Sequence, residues 1–234
     1  GVTGLANAGE ALGFEYGRLV EDIPSVVRAM DNVIDCTVYP LEVQKKEALN
    51  KRRMGLGVTG LANAGEALGF EYGSESFLQW MKELLQIIRD ECYKASVSLS
   101  TEKGAFPMFD ASQYLESGFA KTLPDYIRDD IRRLGIRNSH LLSVAPTGTI
   151  SLTADNVSSG IEPVFSHFYD RTIQTFEGAK VERITDYGYR EFGIKGKTAD
   201  ELSVFDHIKV LNLASYYVDS VSYTHLRAHE TVLD

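Results

Sequence analysis

The residues whose types and spacing can do chemistry lie in one run, Ser143-Val144-Ala145-Pro146-Thr147-Gly148-Thr149-Ile150-Ser151. An apolar segment meets a proline, and a Thr-Gly-Thr turn then opens a short helix. At such a strand-to-helix turn the first helical N–H groups have no internal acceptor and the positive end of the helix dipole points outward, which makes an anion site. Gly148 carries no Cβ to hold a phosphate away, and Thr147, Thr149 and Ser151 add hydroxyl donors beside the amides. The Gly-x-x-x-x-Gly-Lys pattern of a Walker loop is absent. Phosphate binding by Pro146, Thr147, Gly148, Thr149 and Ile150 is the functional expectation; a plain turn in which a threonine caps a helix is the structural one.

The other candidates are weaker. Asn156, Ser158, Ser159 and Glu162 surround Gly160, and a helix stop with a loop explains them better than ligand contacts. Arg137 and Arg171 are placed to screen phosphate charge, although arginines near strand ends are usually solvated. His225 and His229 stand four apart, as two ligands on one helix face would, but no third ligand accompanies them and no metal site is expected. The two cysteines, Cys36 and Cys92, form no Cys-x-x-Cys and are too few for a disulfide framework, which fits a reducing cytoplasm.

Composition narrows the class. With 44% hydrophobic and 24% charged residues the chain is an ordinary globular one, so disorder is not expected. The balance of 24 Lys+Arg against 33 Asp+Glu gives a formal charge of -9, which disfavours a broad nucleic-acid or anionic-membrane surface. Any phosphate must then be held locally. No apolar run is long enough to cross a bilayer and no secretory leader opens the sequence, so a soluble cytoplasmic protein is expected.

The elements that must position the run alternate helix and strand, which argues for an α/β architecture. Helices are expected over Ile23–Asp35, Leu41–Arg53 and Gly60–Leu68, with Tyr39-Pro40 separating the first two and a short strand at Gly55–Thr59. The clearest helix spans Ser76–Lys103. Phe77, Met81, Leu84, Ile88, Cys92, Ala95 and Leu99 recur there every three or four residues and build one buried stripe. Ser76 with Gln79 suits a capping box, Gly104 suits the stop, and Cys92 reads as a core residue. Short helical pieces bracketed by Pro107 and Pro124 follow over Ala105–Arg137, then a buried strand at His140–Ala145. Arg171–Phe176 and Ala179–Thr185 read as a hairpin turning at Glu177-Gly178, and Ser203 begins a last helix ending near Ser220.

Both ends look foreign to this pattern. Gly1–Gly17 recurs letter for letter at Gly57–Gly73 between unrelated flanks, whereas structural repeats recur more often and drift. Residues 1–17 are therefore expected to be an artefactual duplication. Ser222–Asp234 is expected to be a foreign tail resembling translated adapter sequence, which leaves residues 18–221 as the folded domain.

The run and its surroundings resemble ribonucleotide reductase large subunits. The likeness continues through Asn156-Val157-Ser158-Ser159-Gly160-Ile161-Glu162-Pro163, Asp31-Asn32-Val33-Ile34-Asp35, Tyr39-Pro40, the stretch from Arg52 to Ala62, Lys103-Gly104-Ala105-Phe106-Pro107 and Arg137-Asn138-Ser139, in family order. The resemblance implies part of a ten-stranded α/β barrel, incomplete, in an enzyme that reduces ribonucleotides at the 2′ carbon through a cysteine thiyl radical. It implies that Pro146, Thr147, Gly148, Thr149 and Ile150 hold the substrate's diphosphate, with di- and triphosphate substrates both open. Thr-Gly-Thr followed by Asp155-Asn156-Val157-Ser158-Ser159 looks more like the adenosylcobalamin-dependent class than the diiron class. A thioredoxin-type reductant and homodimerisation are implied for the full-length protein. The family's finger loop with its radical cysteine finds no match, and Cys36 is not at that position, so no catalytic residue is assigned. The fragment alone is expected to be inactive and, as an opened barrel with unpaired edges, poorly soluble. A stand-alone phosphate- or nucleotide-binding module without catalysis is the alternative; another thiyl- or glycyl-radical barrel is a third.

Overall fold

In a computed structural model, residues 16–176 and 178–219 are described. The first repeat copy up to residue 15, Glu177, and the tail with His225 and His229 lie outside them. Helix α1 (Tyr16–Cys36) starts a turn and more before the expected Ile23 and runs through Pro24, whose missing N–H is tolerated because Ile23, Val27 and Ile34 are buried in the core. Helix α2 (Glu42–Lys51) buries no residue, and α3 (Leu61–Ala67) buries its first five. Helix α4 (Glu75–Lys103) is 29 residues and about 43 Å long, and it is the axis of the domain. All seven apolar positions of its expected stripe are buried, and each such side chain contributes about 1.5–3 kcal/mol where it is large.

The cap of α4 corrects the expected box. Ser74, not Ser76, is the N-cap; it has extended backbone and accepts from the Phe77 amide at 3.2 Å, while Gln79 bonds Glu83 instead of reaching back. The 105–137 region folds as α5 (Ala111–Tyr114), a 3-10 turn (Ala120–Thr122) and α6 (Asp125–Leu134), whose Ile127 and Ile131 seal against α4. Further along come α7 (Ile150–Thr153), α8 (Tyr187–Phe192) and α9 (Val204–Ser215). Ser203 caps α9 as expected, but that helix stops at Ser215 rather than near Ser220.

The expected short strand at Gly55–Thr59 and buried strand at His140–Ala145 meet as one parallel bridge, Leu56 against Leu142, rather than as a ladder. Three bonds make the contact: Met54 N to His140 O at 3.1 Å, Leu56 N to Leu141 O at 2.7 Å, and Ser143 N to Leu56 O at 3.0 Å. On one side the chain turns at Gly60, whose φ of 79° begins α3; on the other Pro146 has no N–H to extend the pairing. Strands β1 (Phe168–Thr175) and β2 (Gly178–Thr185) form the expected antiparallel hairpin, with Gly178 paired opposite Thr175 instead of lying in the turn. Among the described residues no barrel closes; the architecture is mixed helix and strand around α4.

A buried polar cluster ties the first helices to the segment entering the candidate site. Asp31 is fully buried and receives Arg52 Nε at 2.9 Å, Asn138 Nδ2 at 2.9 Å and Arg137 Nε at 3.3 Å. Asn138 in turn accepts from Ser96 Oγ at 2.9 Å and donates to the Arg52 carbonyl at 3.2 Å. Arg137 also donates to the carbonyls of Lys103 and Gly104, so it closes the C-terminus of α4 and does not screen a phosphate.

Candidate functional site

The extended segment Leu141–Ser143 enters the site at fixed height. Its two leucines are buried, and the glycines flanking Leu56 let the backbones close: a Cβ on Gly57 would lie 2.6 Å from the Ser143 carbonyl oxygen. The Asp219 carboxylate accepts from the Leu141 amide at 2.8 Å, the Leu142 amide at 3.0 Å and the Tyr93 hydroxyl at 2.6 Å. Burial raises its pKa against these bonds, the first among opposing influences.

Beyond Ala145 the chain makes the turn the sequence pointed to, and all five expected residues share it. Pro146, Gly148, Thr149 and Ile150 are exposed and Thr147 is half-buried. Thr147 has φ 31°, in the left-handed region that a β-branched residue enters only under constraint. The constraint is visible: Thr147 Oγ1 accepts from the Gly160 amide at 2.7 Å and the Thr147 carbonyl accepts from Ser151 N at 2.8 Å. With that acceptor bond made, the Thr147 hydroxyl proton is still available to a ligand. A Cβ on Gly148 would meet nothing nearer than the Pro146 oxygen at 3.8 Å, so packing does not demand glycine there.

The capping alternative is not what forms. Thr149 occupies the N-cap of α7 with helical φ, and its side chain makes no cap bond. The amides of Gly148, Thr149 and Ile150 meet no acceptor among the described residues. Three successive free donors and two hydroxyls on one exposed turn are a phosphate-sized set. Ser151 departs from expectation: it is buried, donating to the Gly148 carbonyl at 3.1 Å and pairing with Ser159 Oγ at 3.3 Å, so it braces the turn from within.

The polar cluster around Gly160 is this brace, a helix end and its loop. Asn156, with φ 59°, ends α7 and donates to the Thr185 carbonyl at 2.9 Å; Gly160 passes so close that a Cβ would stand 2.7 Å from the Ala145 oxygen. Glu162 N bonds the Ser159 carbonyl at 2.8 Å. Arg171 is exposed on β1 and lines a cavity of about 640 Å³ with Asp155, Asn156, Arg183 and Arg190, and none of residues 146–150 lines it. Arg190 is already paired there with Asp155 at 2.7 Å, and the Arg183 guanidinium lies 4.2 Å over the Phe168 ring.

Sequence reasoning missed Asn63 on α3, whose neighbours in the text are Ala62 and Ala64. It is 1% exposed; its Oδ1 accepts from the Ser158 amide at 2.6 Å and its Nδ2 donates to both oxygens of Asp186 at 3.1 and 3.2 Å. A buried asparagine in an apolar helix must satisfy both ends of its amide, and that is the one signal that marks it. Nearby Glu66 is largely buried with Oε1 unpartnered, and desolvation first, then the Asp186 charge, push its pKa up to about 7. No group of three His, Cys, Asp or Glu among the described residues is placed to hold a metal, and no helix there is long and apolar enough to cross a membrane.

Comparison with known proteins converges on one family. Residues 4–228 match the model described as "Ribonucleotide reductase, barrel domain". The chain is 38% identical over 159 residues to a vitamin B12-dependent ribonucleoside-diphosphate reductase of Mycobacterium tuberculosis, covering 68% of this chain and 20% of that protein. It is 33% identical over 181 residues to the Thermoplasma acidophilum protein of the same name, covering 77% and 22%. It is 26% identical over 211 residues to the ribonucleoside-diphosphate reductase large subunit of Arabidopsis thaliana, covering 86% and 26%. The chain thus spans about a fifth to a quarter of the length of these relatives.

Proposed function

The chain belongs to the ribonucleotide reductase family through its barrel domain, and from that premise we propose that the turn of Pro146, Thr147, Gly148, Thr149 and Ile150 receives the diphosphate of a ribonucleotide substrate. The observation that carries this reading is the row of free amides at Gly148, Thr149 and Ile150, flanked by the Thr147 and Thr149 hydroxyls and braced beneath by Ser151, Ser159 and Gly160. Phosphate oxygens accept such donors without a lysine, and the overall negative charge of the chain makes a built, local cradle the economical solution.

We assign residues 18–221 to part of the ten-stranded barrel, with residues 1–17 a duplication and 222–234 foreign. The whole reductase is of the adenosylcobalamin-dependent class in this reading, supported by the Thr-Gly-Thr turn and by relatives named B12-dependent. That cofactor supplies radical initiation when bound. No residue is assigned to hold it and no step is derived through it. Thiyl chemistry, a thioredoxin-type reductant and dimerisation belong to the whole protein, and this chain contributes binding.

Titration calorimetry of the 234-residue chain with ADP and with pyrophosphate tests the cradle. Binding that is weakened about tenfold in Thr149→Val and at least as much in Gly148→Val supports it. Binding retained in both variants would move the site elsewhere, and no binding by the unaltered chain would remove it.

A further inference from the structure

The phosphate turn does not hold its own position. Besides the Asn156 bonds at the end of α7, its ties on the downstream side pass through residues 158–160: the Gly160 amide bonds Thr147 Oγ1 at 2.7 Å, and Ser159 Oγ meets Ser151 Oγ at 3.3 Å. Those residues are in turn fixed from α3. The Gly60 amide bonds the Ser158 carbonyl at 2.7 Å, Asn63 Oδ1 accepts from the Ser158 amide at 2.6 Å, and the Asn63 amide reaches Ser158 Oγ at 3.3 Å. The other end of the Asn63 side chain is committed to Asp186, which caps α8 through the Tyr189 amide at 3.0 Å. The seat is tight as well as polar, for a Cβ on Gly188 would stand 2.6 Å from Asn63 Nδ2.

We propose that Asn63 is a positioning residue for the phosphate turn, setting the height of Ser158 and Gly160, and through Gly160 the Thr147 hydroxyl, by bridging the Ser158 amide to the Asp186 carboxylate. The proposal rests on the reading of that turn as the diphosphate cradle. The physical basis is the amide group itself. It alone presents an acceptor to an N–H and donors to a carboxylate in one planar group, and at 1% exposure water replaces neither partner. Asn63 touches no ligand in this scheme; it acts through Ser158.

The bridge has a reciprocal form. In Asn63→Asp the acceptor toward Ser158 survives, but two carboxylates face each other where Asn63 Nδ2 had donated. In the double variant Asn63→Asp with Asp186→Asn, the residue at 186 donates to the new carboxylate, which still accepts from Ser158, and the asparagine oxygen at 186 still caps Tyr189.

The test measures pyrophosphate affinity by calorimetry and amide hydrogen exchange at Gly160, with the amides of the α4 core as an internal standard, in the 234-residue chain and both variants. Asn63→Asp should weaken pyrophosphate about tenfold and speed Gly160 exchange about tenfold relative to the core amides, and the double variant should bring both back to within about threefold of the original. If Asn63→Asp leaves Gly160 exchange and affinity unchanged, the proposal is wrong. If the double variant restores the melting temperature but neither the Gly160 exchange nor the affinity, the pair stabilises the fold without placing the turn, and the proposal is again overturned. Should the original chain fail to bind pyrophosphate, the cradle reading falls, while Gly160 exchange still decides whether Asn63 sets the turn.

Discussion

The Asp31 carboxylate and the Arg52 guanidinium face each other in the interior, with Nε at 2.9 Å and an ion-pair contact at 2.8 Å, and their side chains are 0% and 4% exposed. Asn138 and Arg137 complete the shell around the carboxylate. Desolvation works against ionisation of Asp31, but the hydrogen bonds from Arg52 and Asn138 and the charges of Arg52 and Arg137 outweigh it and hold its pKa below the usual range. Arg52 itself sits at φ 47° as the C-cap of α2, so its backbone is committed to the same arrangement. Removing one partner leaves a buried charge without compensation. Asp31→Ala should therefore cost about 3–5 kcal/mol in urea unfolding, whereas Glu102→Ala, breaking the exposed and solvent-screened pair with Arg28, should leave the urea midpoint nearly where it was. Equal effects would show that the interior pair is not special.

Glu66 gives the opposite sign. Its folded pKa, about 7, lies above the ordinary 4.5, so the folded state keeps a proton that the unfolded chain releases. The stability it contributes is fully present below pH 4.5 and is lost as pH rises toward about 7, after which it levels off. The loss is on the order of 3 kcal/mol. Asp186 and Asp219 are also raised by burial and lean the same way, so the Glu66 share must be isolated. Chemical denaturation of the original chain and of Glu66→Gln from pH 5.5 to 8 does this. The curve of the variant should be flatter and, near pH 8, the variant should be the more stable; parallel curves would rule out the assignment.

What the sequence made legible was local. The stripe of α4 is written at three-and-four spacing and folds as read, and the hairpin and the Thr147-Gly148-Thr149 turn are likewise short-range patterns. Its errors of one or two residues, Ser74 for Ser76 and Gly178 in the strand, arise where two similar residues compete for one cap or turn. Asp31 and Asn138 stand 107 residues apart, and Asn63 and Asp186 stand 123 apart, so no window of sequence joins them. The same distance explains why Arg137 looked free. The strands at Leu56 and Leu142 were readable as apolar and extended, but their single bridge depends on Gly60 and Pro146 breaking the pairing on either side.

The two cysteines should behave as different reagents. Cys36, at the end of α1, is exposed; Cys92 is fully buried on the α4 stripe, where desolvation first and then the charges of Asp219 and Glu91 push its thiol well above the usual range. A thiol-specific reagent near pH 8 should modify Cys36 alone in the native chain, with Cys92 reacting only in denaturant. Rapid native labelling at Cys92, located by peptide mass, would mean that α4 opens readily and that the stripe is not the stable centre of the fold.

Thr147 and Thr149 occupy one turn but do different work, and substitution should separate them. The Thr149 side chain makes no cap bond to α7 and no hydrogen bond among the described residues, so Thr149→Val keeps the shape and removes only an outward hydroxyl. Its melting temperature should stay within about a degree of the original, while pyrophosphate affinity falls about tenfold, the cost of one hydrogen bond to a charged group. Thr147→Val removes the acceptor that holds the Gly160 amide at 2.7 Å, at a residue already strained at φ 31°. It should lose about 1–2 kcal/mol of stability as well as affinity, because an amide in a buried glycine is left without a partner. Differential scanning calorimetry with and without pyrophosphate reads both quantities on the same samples. If Thr149→Val destabilises the chain as much as Thr147→Val does, the Thr149 side chain is engaged internally and the outward row of donors is not the ligand face.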